Sequence, residues 1–162
     1  MRIRYLIGIP ICLALTWVVA TRLRWPGSVG DSPPALARQR AQWAAQGPSQ
    51  YILTVNHNAG AEPTWFTLSR VRQGVVRNAL CRRLEAGGTI SECAVTGELY
   101  PLTVEQLFET LEMAYRSKYQ GVDVQYAMPL GYPESIRFDP RKDKAGDEWG
   151  YTVELSESTD DK

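Results

Sequence analysis

The chain has 162 residues, 44% hydrophobic and 22% charged, with 18 basic and 18 acidic side chains and a formal net charge of +0. Once about thirty N-terminal residues are set aside, that length allows one ordinary domain with a real core and leaves no room for a second. A balanced charge gives no support to nucleic-acid binding, which wants a basic domain.

The balance is uneven along the chain. Residues 1–84 hold 11 basic and 2 acidic groups, residues 85–162 hold 7 and 16, and the expectation is that the two halves face each other and neutralise.

The first element, "YLIGIPICLALTWVVA" from Tyr5 to Ala20, is sixteen residues without a charge, flanked by Arg2 and Arg4 before and Arg22 and Arg24 after. At ~1.5 Å per residue it approaches the span of a bilayer when the arginines snorkel. Residues 1–24 are therefore read as a membrane anchor or signal segment, with the membrane contact through residues 5–20. Val18 and Ala20 also allow secretion after cleavage near Ala20, but arginines directly after the run favour an uncleaved anchor. Ile11 is too bulky for a lipobox ahead of Cys12.

"RWPGSVGDSPP" supplies a linker over residues 25–34, followed by an extracytoplasmic domain over 35–156 and a disordered tail over 157–162. Ser32 caps a first helix with Pro33 at its first turn, and Gly47-Pro48 stops it. Its apolar stripe is thin and is anchored by Trp43. "YILTVNHN" then alternates Tyr51, Leu53 and Val55 against Ile52, Thr54 and Asn56, as a half-buried strand does. "TWFTLSRVRQGVVRNALC" reads as a hairpin. A two-residue Gln73-Gly74 turn would set Arg70 opposite Arg77, so the expected register is a three-residue loop pairing Val71 with Val75, with Phe66, Leu68, Val76 and Leu80 together on the face that enters the core.

Cys81 and Cys93 flank "RRLEAGGTISE", whose paired glycines let a short loop close, and they are the only cysteines outside the apolar segment. A disulfide between them is expected. It places the domain outside the cytoplasmic membrane, since such a loop adds ~3 kcal/mol in an oxidising compartment.

"LTVEQLFETLEMAYRSKY" carries a capping box, Thr103 and Gln106, and an apolar face of Val104, Leu107, Phe108, Leu111, Ala114 and Tyr115. Three strands follow: "VDVQYAM", then "ESIRFD" after a turn at Gly131–Pro133, then "EWGYTVEL" with Trp149, Tyr151, Val153 and Leu155 on one face. The order helix, three strands, helix, three strands predicts an α+β fold with both helices on one face of an antiparallel sheet, and it looks like an αβββ unit used twice.

Candidate chemistry concentrates in "FDPRKDKAGDEWGY". Asp139, Asp143, Asp147 and Glu148 are the weak candidates for a metal or an acid–base pair, but their spacing fails the calcium-loop pattern and Arg141, Lys142 and Lys144 compete with a cation. The stretch is read as a hairpin connection with outward-fanning acids. His57 is read as a surface residue in a loop after its strand. No catalytic constellation, cofactor motif or zinc spacing is present, so no catalytic, cofactor-binding or metal residue is assigned. Trp43, Trp65 and Trp149 offer an exposed aromatic surface or, more commonly for such residues, core.

The blocks "WAAQGPSQYILTV", "VRQGVV", "TVEQLFETLEMA", "VQYAMPLGYPESIRFD" and "GDEWGYTVEL" resemble a family of small bacterial exported or lipoprotein domains of unknown function. The resemblance runs from Ala37 to Leu155 and rests most on the strand at Tyr51, on Gly131-Tyr132-Pro133 and on Asp147-Glu148. It implies an exported compartment and this fold, and it brings no activity. The functional expectation is a single-pass, membrane-tethered domain facing the periplasm or exterior. It would be a non-enzymatic module that binds an envelope protein or ligand; the alternative is an enzyme or metal-binding module built on the acidic loop 139–148.

Overall fold

The structure, a computed structural model, describes residues 32–59, 62–85, 88–95 and 101–157. The apolar segment at 5–20, its flanks and most of the linker lie outside them. No described helix is long and apolar enough to cross a membrane.

Helix α1 spans Pro33–Gln46 and opens as its sequence predicts: the Ser32 side chain accepts from the Ala35 N–H, and Pro sits in the first turn. Helix α2 spans Val104–Arg116 behind a complete capping box, in which Gln106 N–H donates to Thr103 Oγ1 and Thr103 N–H donates to Gln106 Oε1, each at 3.2 Å. Strands β1 (Gln50–Ala59), β2 (Glu62–Arg72), β3 (Val75–Leu84) and β4 (Ile90–Cys93) precede α2, and β5 (Gly121–Ala127), β6 (Tyr132–Asp139) and β7 (Trp149–Glu157) follow it. They form a seven-stranded sheet in the order β4-β3-β2-β1-β7-β6-β5, every neighbouring pair antiparallel.

The expected class is correct and the expected order is not, because residues 90–93 form a fourth strand instead of a loop. Cys81 lies directly opposite Cys93 in the β3–β4 ladder, so the bridge staples two strands. The αβββ repeat also fails. Each set of strands steps the same way across the sheet, but β1 runs antiparallel to β7 and hence to β5, so the sets cannot be superposed with their helices on one face.

Both helices cover one face. Leu36 and Trp43 of α1, and Val104, Leu107, Phe108, Leu111 and Ala114 of α2, pack on Tyr51, Leu53, Val55, Val71, Val122, Val124, Ile136, Phe138, Tyr151 and Val153. The β1, β6 and β7 residues in that set are alternate positions, as a period of two requires. A polar bridge ties the layers together: Trp43 Nε1 donates to Glu105 Oε1 at 2.9 Å, Tyr51 OH donates to Glu105 Oε2 at 3.5 Å, and Val104 N–H donates to Tyr51 OH at 3.4 Å. Burial pushes the Tyr51 phenol up to about 12.

The first hairpin departs from the expected register. Its turn is the two-residue Gln73-Gly74 pair, with φ of 53° and 71° as a type I′ turn needs. A bulge between Arg70 and Val71 and their partners sets Arg70 opposite Asn78 and Val71 opposite Val76. The extra residue, Arg77, removes the like-charge opposition that argued against this turn. The bulge also moves Val76 to the helix side, while Phe66, Leu68 and Leu80 stay together on the other face. On β2 the buried residues are Thr67, Ser69 and Val71, and Ser69 Oγ donates to the Leu102 carbonyl at 2.6 Å. The β5–β6 turn lies at Met128–Gly131, two to three residues earlier than expected, with Pro133 inside β6.

Candidate functional site

The connection between β6 and β7 runs from Asp139 to Trp149, and Phe138 pairs with Trp149 across the ladder. It is the expected hairpin. Its four acids do different local things. Asp139 ends β6 opposite Gly121 and lines an open cleft of about 680 Å³ together with Tyr115, Tyr119, Gln120, Arg137 and Lys142. Asp143 is exposed. Asp147 Oδ2 accepts from Arg141 Nε at 3.4 Å. Glu148 Oε2 accepts from the Gly146 N–H at 2.9 Å, and bonds from its own backbone N–H and that of Gly146 hold its carboxyl below the usual carboxylate range. Two oxygens, Asp139 Oδ1 and Asp147 Oδ1, are buried and accept no hydrogen bond from the described residues. Among those residues no three His, Cys, Asp or Glu side chains gather as a metal centre would require.

His57 is a correction. Strand β1 continues to Ala59, so the period of two carries His57 onto the helix side after Tyr51, Leu53 and Val55. There it stacks on Trp65 with ring centroids 4.4 Å apart and planes 3° from parallel, beside Tyr151 and Trp149 at 5.7 and 6.0 Å. Burial pushes the imidazole pKa down and favours the neutral ring. The three tryptophans divide. Trp43 is core, edge-on to Tyr51 and Tyr132, whereas Trp65 and Trp149 are half-buried in a cluster with His57, Tyr151 and Phe138. Burial also pushes the Tyr151 phenol to about 12. That is the behaviour of a packed aromatic layer.

The surface that sequence reasoning missed is the outer face of β2, β3 and β4, away from the helices. Phe66, Leu68, Leu80, Leu84 and Ile90 share it, as the pairs Leu68–Leu80, Phe66–Arg82 and Leu84–Ile90 require. Leu68, Leu84 and Ile90 are 39%, 44% and 58% exposed, where core leucines such as Leu53 and Leu107 are at 0%. Between Trp65 and Leu84 the chain has five arginines (Arg70, Arg72, Arg77, Arg82, Arg83) and no acid. All five are exposed, and Arg70, Arg72 and Arg82 fall on the outer face. Glu92, opposite Arg82, is the acid of that face among the β2–β4 residues described. The expected neutralisation of the two halves is limited: Arg40 of α1 meets Glu112 of α2 at 2.6 Å, but β1, which carries no acid, lysine or arginine, separates the arginine hairpin from Glu154 on β7. A signal existed in the lopsided charge count combined with alternation of large apolar residues and arginines.

Cys81 and Cys93 are joined, with Cα atoms 5.1 Å apart. Cys81 is buried on the helix side beside Thr67.

The chain belongs to a family of unknown function, DUF6174, whose model matches residues 35–158. The match spans the described domain from α1 to the end of β7. No curated protein and no solved structure matches the chain.

Proposed function

We propose that this member of a family without an assigned activity is a membrane-tethered, exported bacterial domain that acts as a non-enzymatic interaction module of the cell envelope. The observation that carries the reading is the outer face of β2–β4, where large apolar side chains stand in water between arginines instead of packing in a core. The Cys81–Cys93 bridge supports the oxidising compartment, and the uncharged run from Tyr5 to Ala20 supports the tether. Preference over an enzyme or metal module on the acidic loop rests on the local partners of the acids: Arg141 engages Asp147, backbone amides engage Glu148, and Asp143 points to water.

Two experiments test it. A reporter fused after Lys162 is expected to be active outside the cytoplasm and to stay with the membrane fraction; a cytoplasmic reporter overturns compartment and tether together. A photoreactive amino acid placed at Leu68 in intact cells is expected to give an adduct, while the same group at the exposed Glu109 of α2 gives none. A chain that reaches the membrane but forms no adduct at Leu68 overturns the interaction surface.

A further inference from the structure

We infer that the occupant of the β2–β4 outer face is the anionic phospholipid surface of the membrane that anchors the chain. This rests on the tethered reading above and names its partner.

Three features point to lipid. The first is composition: Phe66, Leu68, Leu80, Leu84 and Ile90 surround Arg82, and Arg70 and Arg72 extend the row toward the hairpin tip. Guanidinium groups among aliphatic side chains match an interface in which phosphates lie a few ångströms above acyl chains, because each arginine bonds phosphate while its stem and neighbours enter the apolar layer. The second is charge. This face offers Arg70, Arg72 and Arg82 against Glu92, and each cation near an anionic surface favours the docked state roughly fivefold. The third is reach. Twelve residues separate Ala20 from Pro33, the start of α1, and at ~3.3–3.6 Å per residue that chain extends at most about 40 Å. An anchored domain of this size therefore stays close enough to the bilayer to lay one face on it. The exposed sheet face, not a pocket, is the docking element, so headgroup charge should matter more than headgroup identity.

The test uses the full chain with Cys12→Ser, so that a nitroxide on Leu84→Cys, Leu68→Cys or, as control, Glu109→Cys is attached at the one unpaired thiol. The protein is placed in nanodiscs of neutral phosphatidylcholine alone or with anionic phosphatidylglycerol, and label depth is read from oxygen against nickel-complex accessibility. The labels at 68 and 84 are expected to enter the apolar layer in anionic discs and to stay in water in neutral ones, with the label at 109 wet in both. Raising salt should lower the docked-to-undocked ratio, and the triple change Arg70→Glu, Arg72→Glu, Arg82→Glu should lower it by at least roughly two orders of magnitude, about fivefold for each arginine lost before the added glutamates repel the surface further. A circular-dichroism melt of each labelled chain establishes that it is folded.

A chain that floats with vesicles while its labels at 68 and 84 remain wet in anionic discs overturns lipid docking and leaves the tethered module standing, with a protein occupant instead. A chain that does not float with either vesicle overturns the tether and this inference with it. Immersion that is equal in neutral and anionic discs, or that survives the triple reversal, overturns the role of the arginines.

Discussion

Reduction of the Cys81–Cys93 bridge offers the sharpest test of how the exposed end of the sheet is held. The cysteines are separated by 12 positions in sequence. Opening a loop of that size returns about 3 kcal/mol of chain entropy to the unfolded ensemble. For a domain intermediate between the usual small and large classes, 1 kcal/mol moves the melting temperature by about 3–6 °C, so reduction should lower it by ~10–15 °C if β4 melts with the rest. Reducing the wild-type chain is the cleaner perturbation because it leaves both sulfurs in place; Cys81→Ser would add a hydroxyl at a site only 1% exposed. The assay is a thermal melt followed by near-ultraviolet circular dichroism, with and without a phosphine reductant, after thiol counting has shown one free thiol before reduction and three after. A shift below ~2 °C with complete reduction would refute the reasoning. It would mean that the four-residue β4 opens as a local unit whose loss the core does not register. Three free thiols in the untreated, folded protein would refute the bridge and the compartment argument built on it.

Other positions give independent tests. Asp143→Ala should change stability by less than ~0.5 kcal/mol, and millimolar calcium should leave the melt unchanged, because Asp143 is exposed and a site specific to the folded state would raise stability by mass action; a calcium-dependent rise that Asp143→Ala abolishes would restore the metal reading. His57 has its folded pKa below the ordinary 6.5, so the unfolded chain binds the extra proton. Its contribution is complete above pH ~6.5 and is lost as pH falls through the depressed folded value. Denaturant melts at pH 7.5 and 5.0 should therefore differ less for His57→Phe than for wild type, and equal differences would refute it. Gly150→Ala should destabilise by about 1–3 kcal/mol, since its β-carbon would collide with the Ile136 carbonyl oxygen across the β6–β7 ladder; a neutral effect in a urea melt would show that the strands separate at little cost.

The parts of the fold that were legible are those in which local chemistry and burial agree. Helix α2 has a capping box and an apolar face, and both form as read. Strand β7 was visible because Tyr151, Val153 and Leu155 alternate with polar residues. The failures occur where alternation misleads. On β2, Phe66 and Leu68 point to solvent while Thr67 and Ser69 are buried, because the Leu102 carbonyl arriving ahead of α2 satisfies Ser69; a hydrophobic pattern cannot reveal that long-range partner. The two-residue Gln73-Gly74 turn was set aside because an unbulged ladder would place Arg70 opposite Arg77; the bulge at Arg77, which no pattern in the sequence signals, is the device that keeps the two arginines apart. Strand β4 is too short to show a period. His57 could have been found by extending the β1 alternation by one more step, but Asn56, Asn58 and Gly60 looked like a turn.

Charge shows why the candidate site was the least legible feature. Neutralisation of a basic N-terminal half by an acidic C-terminal half needs the halves to stack, and here their strands lie side by side in one sheet, meeting along β1–β7 and again at β3–β4, where Glu92 faces Arg82. Neighbouring strands are ~4.8 Å apart, so the backbone of the β2 arginines stands at least about 10 Å from that of Glu154 on β7, and that of the β3 arginines at least about 14 Å away. Those distances equal or exceed the Debye length of about 8–10 Å at physiological salt. Attraction across the uncharged β1 is therefore mostly screened. The same order leaves the outer face of β4, β3 and β2 without a covering layer among the described residues, with Leu68, Leu84 and Ile90 exposed there. Strand order, which composition does not contain, thus turns an unremarkable net charge of +0 into a surface with one cationic, apolar end.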